Sequence, residues 1–247
     1  MLTRQLPLPL PHRPDYLSAA FLPAQSNAPA RSWLARTGAW PSGRLLLWGE
    51  AGVGKSHLLH RWARGAGAVV VSGPGLRGLP GAPAAPVAVD DADAPAEEAA
   101  LLHLLNAAAE AGLPVLLAAR APASAWGVRL ADLASRVRAM AAVRLERPED
   151  SLLDMLLARL LAGRGLVVSA PLQAWLRLHL PREPAGLREF VARLDRAALA
   201  QGSRRVKRWL VVQVLAGMDG CEVEQDDMLV TPRTVADAAS PAAPVLV

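Results

Sequence analysis

Between Arg44 and Ser56 the chain reads RLLLWGEAGVGKS, and this stretch restricts the possible folds more than any other. Leu45, Leu46, Leu47 and Trp48 form a short apolar run of the kind that makes a buried strand, and a glycine-rich turn and an amphipathic segment follow it. Gly49, four intervening residues, then Gly54, Lys55 and Ser56 satisfy the P-loop pattern. Gly52 and Gly54 allow a tight turn whose N–H groups face an anion. Lys55 can then reach terminal phosphates and the Ser56 hydroxyl can bind Mg²⁺. A helix beginning at this point also directs its positive end at the phosphates. The candidate nucleotide-binding residues are therefore Gly49, Gly52, Val53, Gly54, Lys55, Ser56 and His57, and the ligand expected is a nucleoside triphosphate or its diphosphate with Mg²⁺.

Lys55 and Lys207 are the only lysines among 27 basic residues, so a lysine at the motif position is hard to assign to surface solvation. The 247 residues suffice for one large or two small domains, and with aromatics at 4% the core must rest on Leu, Val and Ala. A net charge of +5 is compatible with nucleic acid or an acidic partner without selecting either. One cysteine, Cys221, excludes an internal disulfide framework and fits a reducing, cytoplasmic setting. No apolar run approaches the length of a membrane span, and prolines 7, 9 and 11 break any signal-peptide core.

Residues 1–14, MLTRQLPLPLPHRP, are expected to be an extended leader. It is either a polyproline-like tail or a docking peptide that presents Gln5, Leu6, Leu8, Pro9 and Leu10 to a groove. Downstream, Ser26 or Asn27 reads as the N-cap of a helix over 28–39. Residues 68–72 read as a second strand, 72–86 as a glycine- and proline-rich loop, and 86–91 as a strand ending in two carboxylates. An acid at the end of a buried strand after a P-loop suits the Walker B role, so Asp90 is expected to hold Mg²⁺ and Asp91 to polarise water. The simpler alternative is that Asp91 and Asp93 cap the helix starting near Ala96. That helix should run to Ala111 and close at Gly112, with strands at 114–118 and around Val143–Leu145 and a short helix within 126–138. Strand–helix alternation from Arg44 to Leu145 predicts an α/β domain with a parallel sheet. Past Pro148 only helices are expected, over 149–161, 170–180, 185–200 and 203–216. The domain plan is thus a leader (1–14), a nucleotide-binding domain (15–147), a helical lid (148–217) and an acidic, Ala/Pro-rich tail (218–247).

Four segments resemble the AAA+ ATPases of the replication initiator DnaA group, and within it the branch that inactivates DnaA. QLPLPL (5–10) is similar to that branch's docking peptide for the DNA polymerase sliding clamp, and GEAGVGKSHLL (49–59) to the group's P-loop. DLASRV (132–137) resembles the box holding an arginine finger, which would be Arg136. LREFVARLDRAAL (187–199) resembles the sensor 2 helix, which makes Arg188 the phosphate-sensing arginine. The resemblance covers roughly residues 1–215 and favours the docking reading of the leader. It implies a P-loop AAA+ sheet domain with a helical lid, narrows the nucleotide to ADP or ATP, and implies partners in DnaA, the clamp and, through the clamp, DNA; homo-oligomers are possible and no membrane is involved.

Location would be the bacterial cytoplasm, at the nucleoid through the clamp. A DnaA initiator continues into a helix-turn-helix domain, for which the 30 residues after the lid leave no room, so a regulator is expected rather than an initiator. The family's polar sensor 1 residue is replaced by Ala118, with Ala119 beside it. That points to an activator of another ATPase rather than a strong ATPase. The other readings are an autonomous, helicase-loader-like ATPase and a pure clamp adaptor. Arg204, Arg205 and Arg208 either face DNA or line a solvated helix face.

Overall fold

A computed structural model describes residues 21–79 and 81–218. The leader peptide and the acidic tail therefore lie outside the described residues. The chain divides into two compact units, with Ala158–Pro181 and the residues from Arg188 onward forming the second.

In the first unit, α1 (Ala28–Leu34) precedes β1 (Arg44–Trp48), α2 (Lys55–Ala66), β2 (Val69–Ser72), β3 (Val87–Asp90) and α3 (Glu98–Glu110). β4 (Val115–Ala119), α4 (Ala131–Arg138) and β5 (Ala141–Arg144) complete the sheet. The five strands are parallel in the order β2-β3-β4-β1-β5, with Leu45 opposite Leu116 and Ala141, and Val89 opposite Leu117. Because side chains alternate along a strand, β1 and β4 each feed two cores. Leu46, Val115 and Leu117 pack with Leu101, Leu105, Leu133 and Val137 of α3 and α4. Leu45, Leu47, Leu116 and Ala118 pack on the other face with Ala30, Leu58, Leu59, Trp62 and Ala63 of α1 and α2. Burial on both faces is why these strands read as unbroken apolar runs.

Two expectations here need correction. The helix expected over 28–39 ends at Leu34, and Thr37–Ala39 is a separate 3₁₀ turn. Asn27 sits at the N-cap position but does not cap: its amide donates to the Leu22 carbonyl and its Oδ1 accepts from Ala24 N–H. The side chain ties down the incoming strand of chain instead. Phe21, at its start, packs edge-on against His57 with ring centroids 5.3 Å apart, beside the first turn of α2.

Of the helices α5 (Asp150–Gly163), α6 (Ala170–His179), α7 (Pro184–Ala200) and α8 (Arg208–Ala216), the second unit contains α6, α8 and the greater part of α7. Its core is built from Leu166, Leu172, Leu176, Phe190, Val191, Leu194, Val211 and Leu215. Arg164 and Arg204 converge on Asp195 at 3.6 and 2.6 Å. The last helix begins at Arg208 rather than Ser203. Residues 203–207 are drawn out because Val167 N–H donates to the Arg204 carbonyl and Val206 N–H to the Val167 carbonyl, forming a parallel bridge. No described helix is long and apolar enough to cross a membrane.

Candidate nucleotide site and arginine edge

All strands run in one direction, so the loops after β1, β3 and β4 open at one edge of the sheet. β1 delivers the glycine-rich loop, β3 delivers Asp90 and Asp91, and β4 delivers Arg120. Backbone bonds join the three: Gly49 N–H donates to the Ala119 carbonyl at 3.2 Å and Ala92 N–H to the Ala118 carbonyl at 2.8 Å.

Gly49 and Gly54 take φ of 155° and 105°, in the region that favours glycine, and Gly54 is the N-cap of α2. A Cβ on Gly49 would also lie 2.6 Å from the Leu145 carbonyl oxygen, so the loop starts where no side chain fits. Glu50 is held outside by Arg147, whose Nε and Nη2 both approach Oε2 at 2.7 Å. Lys55 is 8% exposed, and its ammonium donates to the carbonyls of Gly49 and Glu50 at 2.7 and 2.6 Å. Burial pulls its pKa below the ordinary lysine value, while the carboxylates of Asp90, Asp91 and Asp93 push it back up. A cation parked on carbonyls, facing a glycine turn, suits the phosphates of a nucleotide. Ser56, half-buried at the second position of α2, and Asp90 at the end of β3 supply the oxygen donors that Mg²⁺ takes.

Asp90 and Asp91 part ways at the strand end. Asp90 Oδ1 accepts from Asp91 N–H at 3.1 Å, whereas Asp91 turns into φ +49°. That conformation is uncommon outside glycine but open to Asp. Neither Asp91 nor Asp93 caps α3, which starts at Glu98 without a side-chain cap. Asp93 Oδ2 instead accepts from Arg120 N–H at 2.9 Å, tying the β3 turn to the end of β4. Asp91 Oδ1 lies 3.9 Å from Arg120 Nε. Ala118 and Ala119 are fully buried.

Arg136 lies elsewhere. Ala141, the first residue of β5, pairs with Leu45, so the chain segment leaving α4 meets the sheet where β1 begins, the edge opposite the phosphate loop. β1 spans about 13 Å at roughly 3.3 Å per residue, which separates the two edges. Arg136 is exposed, and its charge, after burial, helps pull the Arg44 guanidinium below its usual pKa. Arg44 is buried at the start of β1 and donates to the Leu105 carbonyl at 3.0 Å. Leu133 and Val137 anchor α4 in the core. The Glu98 carboxylate accepts N–H groups of Arg129 and Leu130 at 3.0 and 2.8 Å, which fixes the entrance to the helix. Arg188 stands half-buried on α7 in the second unit.

Gly73, Glu98 and Arg120 are the residues of this arrangement that sequence reasoning missed, and Asp93 was read only as a candidate helix cap. Each acts through a partner at least 18 positions away, so no local pattern carries them. A Cβ on Gly73 would lie 2.1 Å from the Asp91 carbonyl oxygen.

No protein-family model matches the chain, and no curated protein matches it in sequence. Solved structures do. Domain III of the Thermotoga maritima replication initiation protein DnaA superposes with a TM-score of 0.66 at 15% identity, covering 84% of this chain and 98% of that domain. AMPPCP-bound DnaA from Aquifex aeolicus gives 0.57 at 14% identity over 70% of this chain and 62% of its own length. The Thermotoga maritima RuvB Holliday junction branch migration motor gives 0.60 at 16% identity over 78% and 69%. With the strand order and the helices after β5, these likenesses establish the fold as the α/β P-loop AAA+ domain with a C-terminal helical part, the fold seen in DnaA and RuvB.

Proposed function

We propose that this chain is a regulator of replication initiation of the Hda type, which binds an adenine nucleotide and stimulates hydrolysis of ATP held by DnaA. The observation that carries the reading is the separation of Arg136 from the chain's own phosphate loop by the length of β1. An exposed guanidinium on a firmly anchored helix, remote from its own nucleotide, suits a triphosphate held by another molecule. There it would stabilise charge developing on the γ-phosphoryl group, an effect of roughly 10³–10⁵ in rate for fingers supplied in trans. In this reading Lys55 and the loop N–H groups hold the chain's own ADP or ATP, with Mg²⁺ on Ser56 and Asp90. The nucleotide supplies an anionic anchor there, while the chain's residues do the positioning. Gln5, Leu6, Leu8, Pro9 and Leu10 dock on the DNA-loaded sliding clamp, which concentrates the protein beside clamp-associated partners.

The test is hydrolysis of DnaA-bound ATP in the presence of DNA-loaded clamp. Arg136→Ala is expected to retain nucleotide and clamp binding and to lose the stimulation. Stimulation that survives this substitution overturns the finger assignment.

A further inference from the structure

Arg204, Arg205 and Arg208 read from the sequence as facing either DNA or solvent along a helix, and the structure takes Arg204 and Arg205 out of any helix. α8 starts at Arg208, and residues 203–207 are drawn out, pinned by the parallel bridge between Val167 and Arg205. Side chains alternate along extended chain, so buried Val206 points inward while the exposed Arg205 and Lys207 share the outer face, roughly 6.6 Å apart at their Cα atoms. The exposed Arg208 follows on the first turn of α8, its guanidinium 5.1 Å from the centre of the Trp175 ring. His179 stacks on that ring at 3.9 Å. The surrounding charge is one-sided. Over 158–181 and 188–218, the described residues of the second unit, ten arginines and lysines stand against two carboxylates, although the whole chain carries 27 against 22. Glu189 is taken by Arg193 at 2.7 Å, and Asp195 is shared by Arg164 and Arg204. No further acidic side chain remains among these residues to offset Arg205 and Lys207.

From this geometry we infer that Arg205, Lys207 and Arg208 form a contact surface for the phosphate backbone of duplex DNA, read without regard to sequence. Cations spaced along one extended stretch address separate phosphates, and arginine and lysine are the side chains that do so. Trp175 is already engaged by His179 and Arg208, so it steadies the guanidinium rather than offering a base the open ring of a single-strand site. Leu210, Val211, Val212, Val214 and Leu215 are buried, so α8 presents no apolar face to a lipid surface. The contact is direct, and it depends on neither the nucleotide site, nor the finger, nor the clamp peptide.

The experiment measures fluorescence anisotropy of short labelled duplexes of two unrelated sequences, titrated with the full chain at several salt concentrations. Three phosphate contacts predict a slope of log affinity on log salt near −2.7, or roughly a 40-fold loss between about 50 and 200 mM, alike for both sequences. The double variant Arg205→Gln, Lys207→Gln should lower the slope to about −0.9 and the loss to about 3.5-fold, and Lys207→Gln alone should lower the slope by about 0.9. Its unfolding midpoint should equal that of the unaltered chain, because both side chains are exposed. Arg64→Gln with Arg77→Gln removes the same charge from exposed positions of the first unit and should leave the slope unchanged. Equal slopes in the two double variants overturn the assignment to this surface. So does tighter binding of a single strand of the same length, or binding to vesicles of anionic phospholipid with none to duplex.

Discussion

Replacing Gly73 by alanine should distort the acidic turn at the end of β3, although residue 73 lies 18 positions from Asp91. A Cβ built at Gly73 lies 2.1 Å from the Asp91 carbonyl oxygen, 2.9 Å from its carbon and 3.3 Å from Ala92 Cα. Relief to an ordinary contact requires a movement of roughly 1 Å or more, and all three opposing atoms are backbone that cannot rotate aside. The same backbone carries the φ of +49° at Asp91 and the 2.8 Å bond from Ala92 N–H to Ala118. Overpacking of this kind costs typically 1–3 kcal/mol, and the rigid target puts Gly73→Ala in the upper half, about 2–3 kcal/mol. For a chain of this size that lowers the unfolding midpoint by about 4–12 °C. Gly75→Ala is the matched control, since its Cβ would meet only the Ser72 Cβ at 3.8 Å, an ordinary contact in the same turn. Thermal unfolding of both variants, followed by titration of an ATP analogue, gives the two readouts. A Gly73→Ala chain as stable as Gly75→Ala, with unchanged triphosphate affinity, refutes the argument that this glycine sets the position of Asp91.

Gly49→Ala combines a left-handed φ of 155° with a 2.6 Å clash on the Leu145 carbonyl, so nucleotide binding should be lost together with about 2 kcal/mol or more of stability, read by titration and urea unfolding. Glu98→Gln weakens the hold on Arg129 and Leu130 N–H and should cost about 1 kcal/mol at pH 7, measured by the urea midpoint. Those N–H groups hold the Glu98 pKa below the ordinary glutamate value. Its contribution is therefore complete above the unfolded-state pKa and disappears as pH falls through the lowered folded one. The gap between the unaltered chain and Glu98→Gln should accordingly close on acidification, and a gap that widens below pH 4 would contradict the assignment (roughly the unfolded glutamate value).

What the sequence made legible was local. Leu45–Leu47 and the glycines after them define β1, the loop and the start of α2 because a strand, a turn and a helix cap each depend on neighbours a few positions away. The paired carboxylates at the end of β3 were readable for the same reason. Reasoning failed where a side chain chose a distant partner over a near one. Asp93 could have capped α3, yet it bonds to Arg120 N–H across the strand ends. Asn27 had every mark of a cap and holds Leu22 and Ala24 instead. Residues 203–207 have helical neighbours on both sides, but their backbone groups are taken by Val167, about 40 positions earlier. Arg120 and Gly73 sit in stretches with no pattern of their own, and only the strand order brings them to the acidic turn.

On the proposed finger role, in which Arg136 meets a nucleotide held by another molecule, its placement opposite the phosphate loop on one short sheet has a consequence for assembly. Two unlike surfaces that fit one another cannot satisfy themselves in a closed pair; every molecule that joins consumes one surface and offers the other. Such a contact has a direction, like a row of people each with a hand on the next shoulder, and it ends only where a ring closes or a partner of a different kind takes the last position.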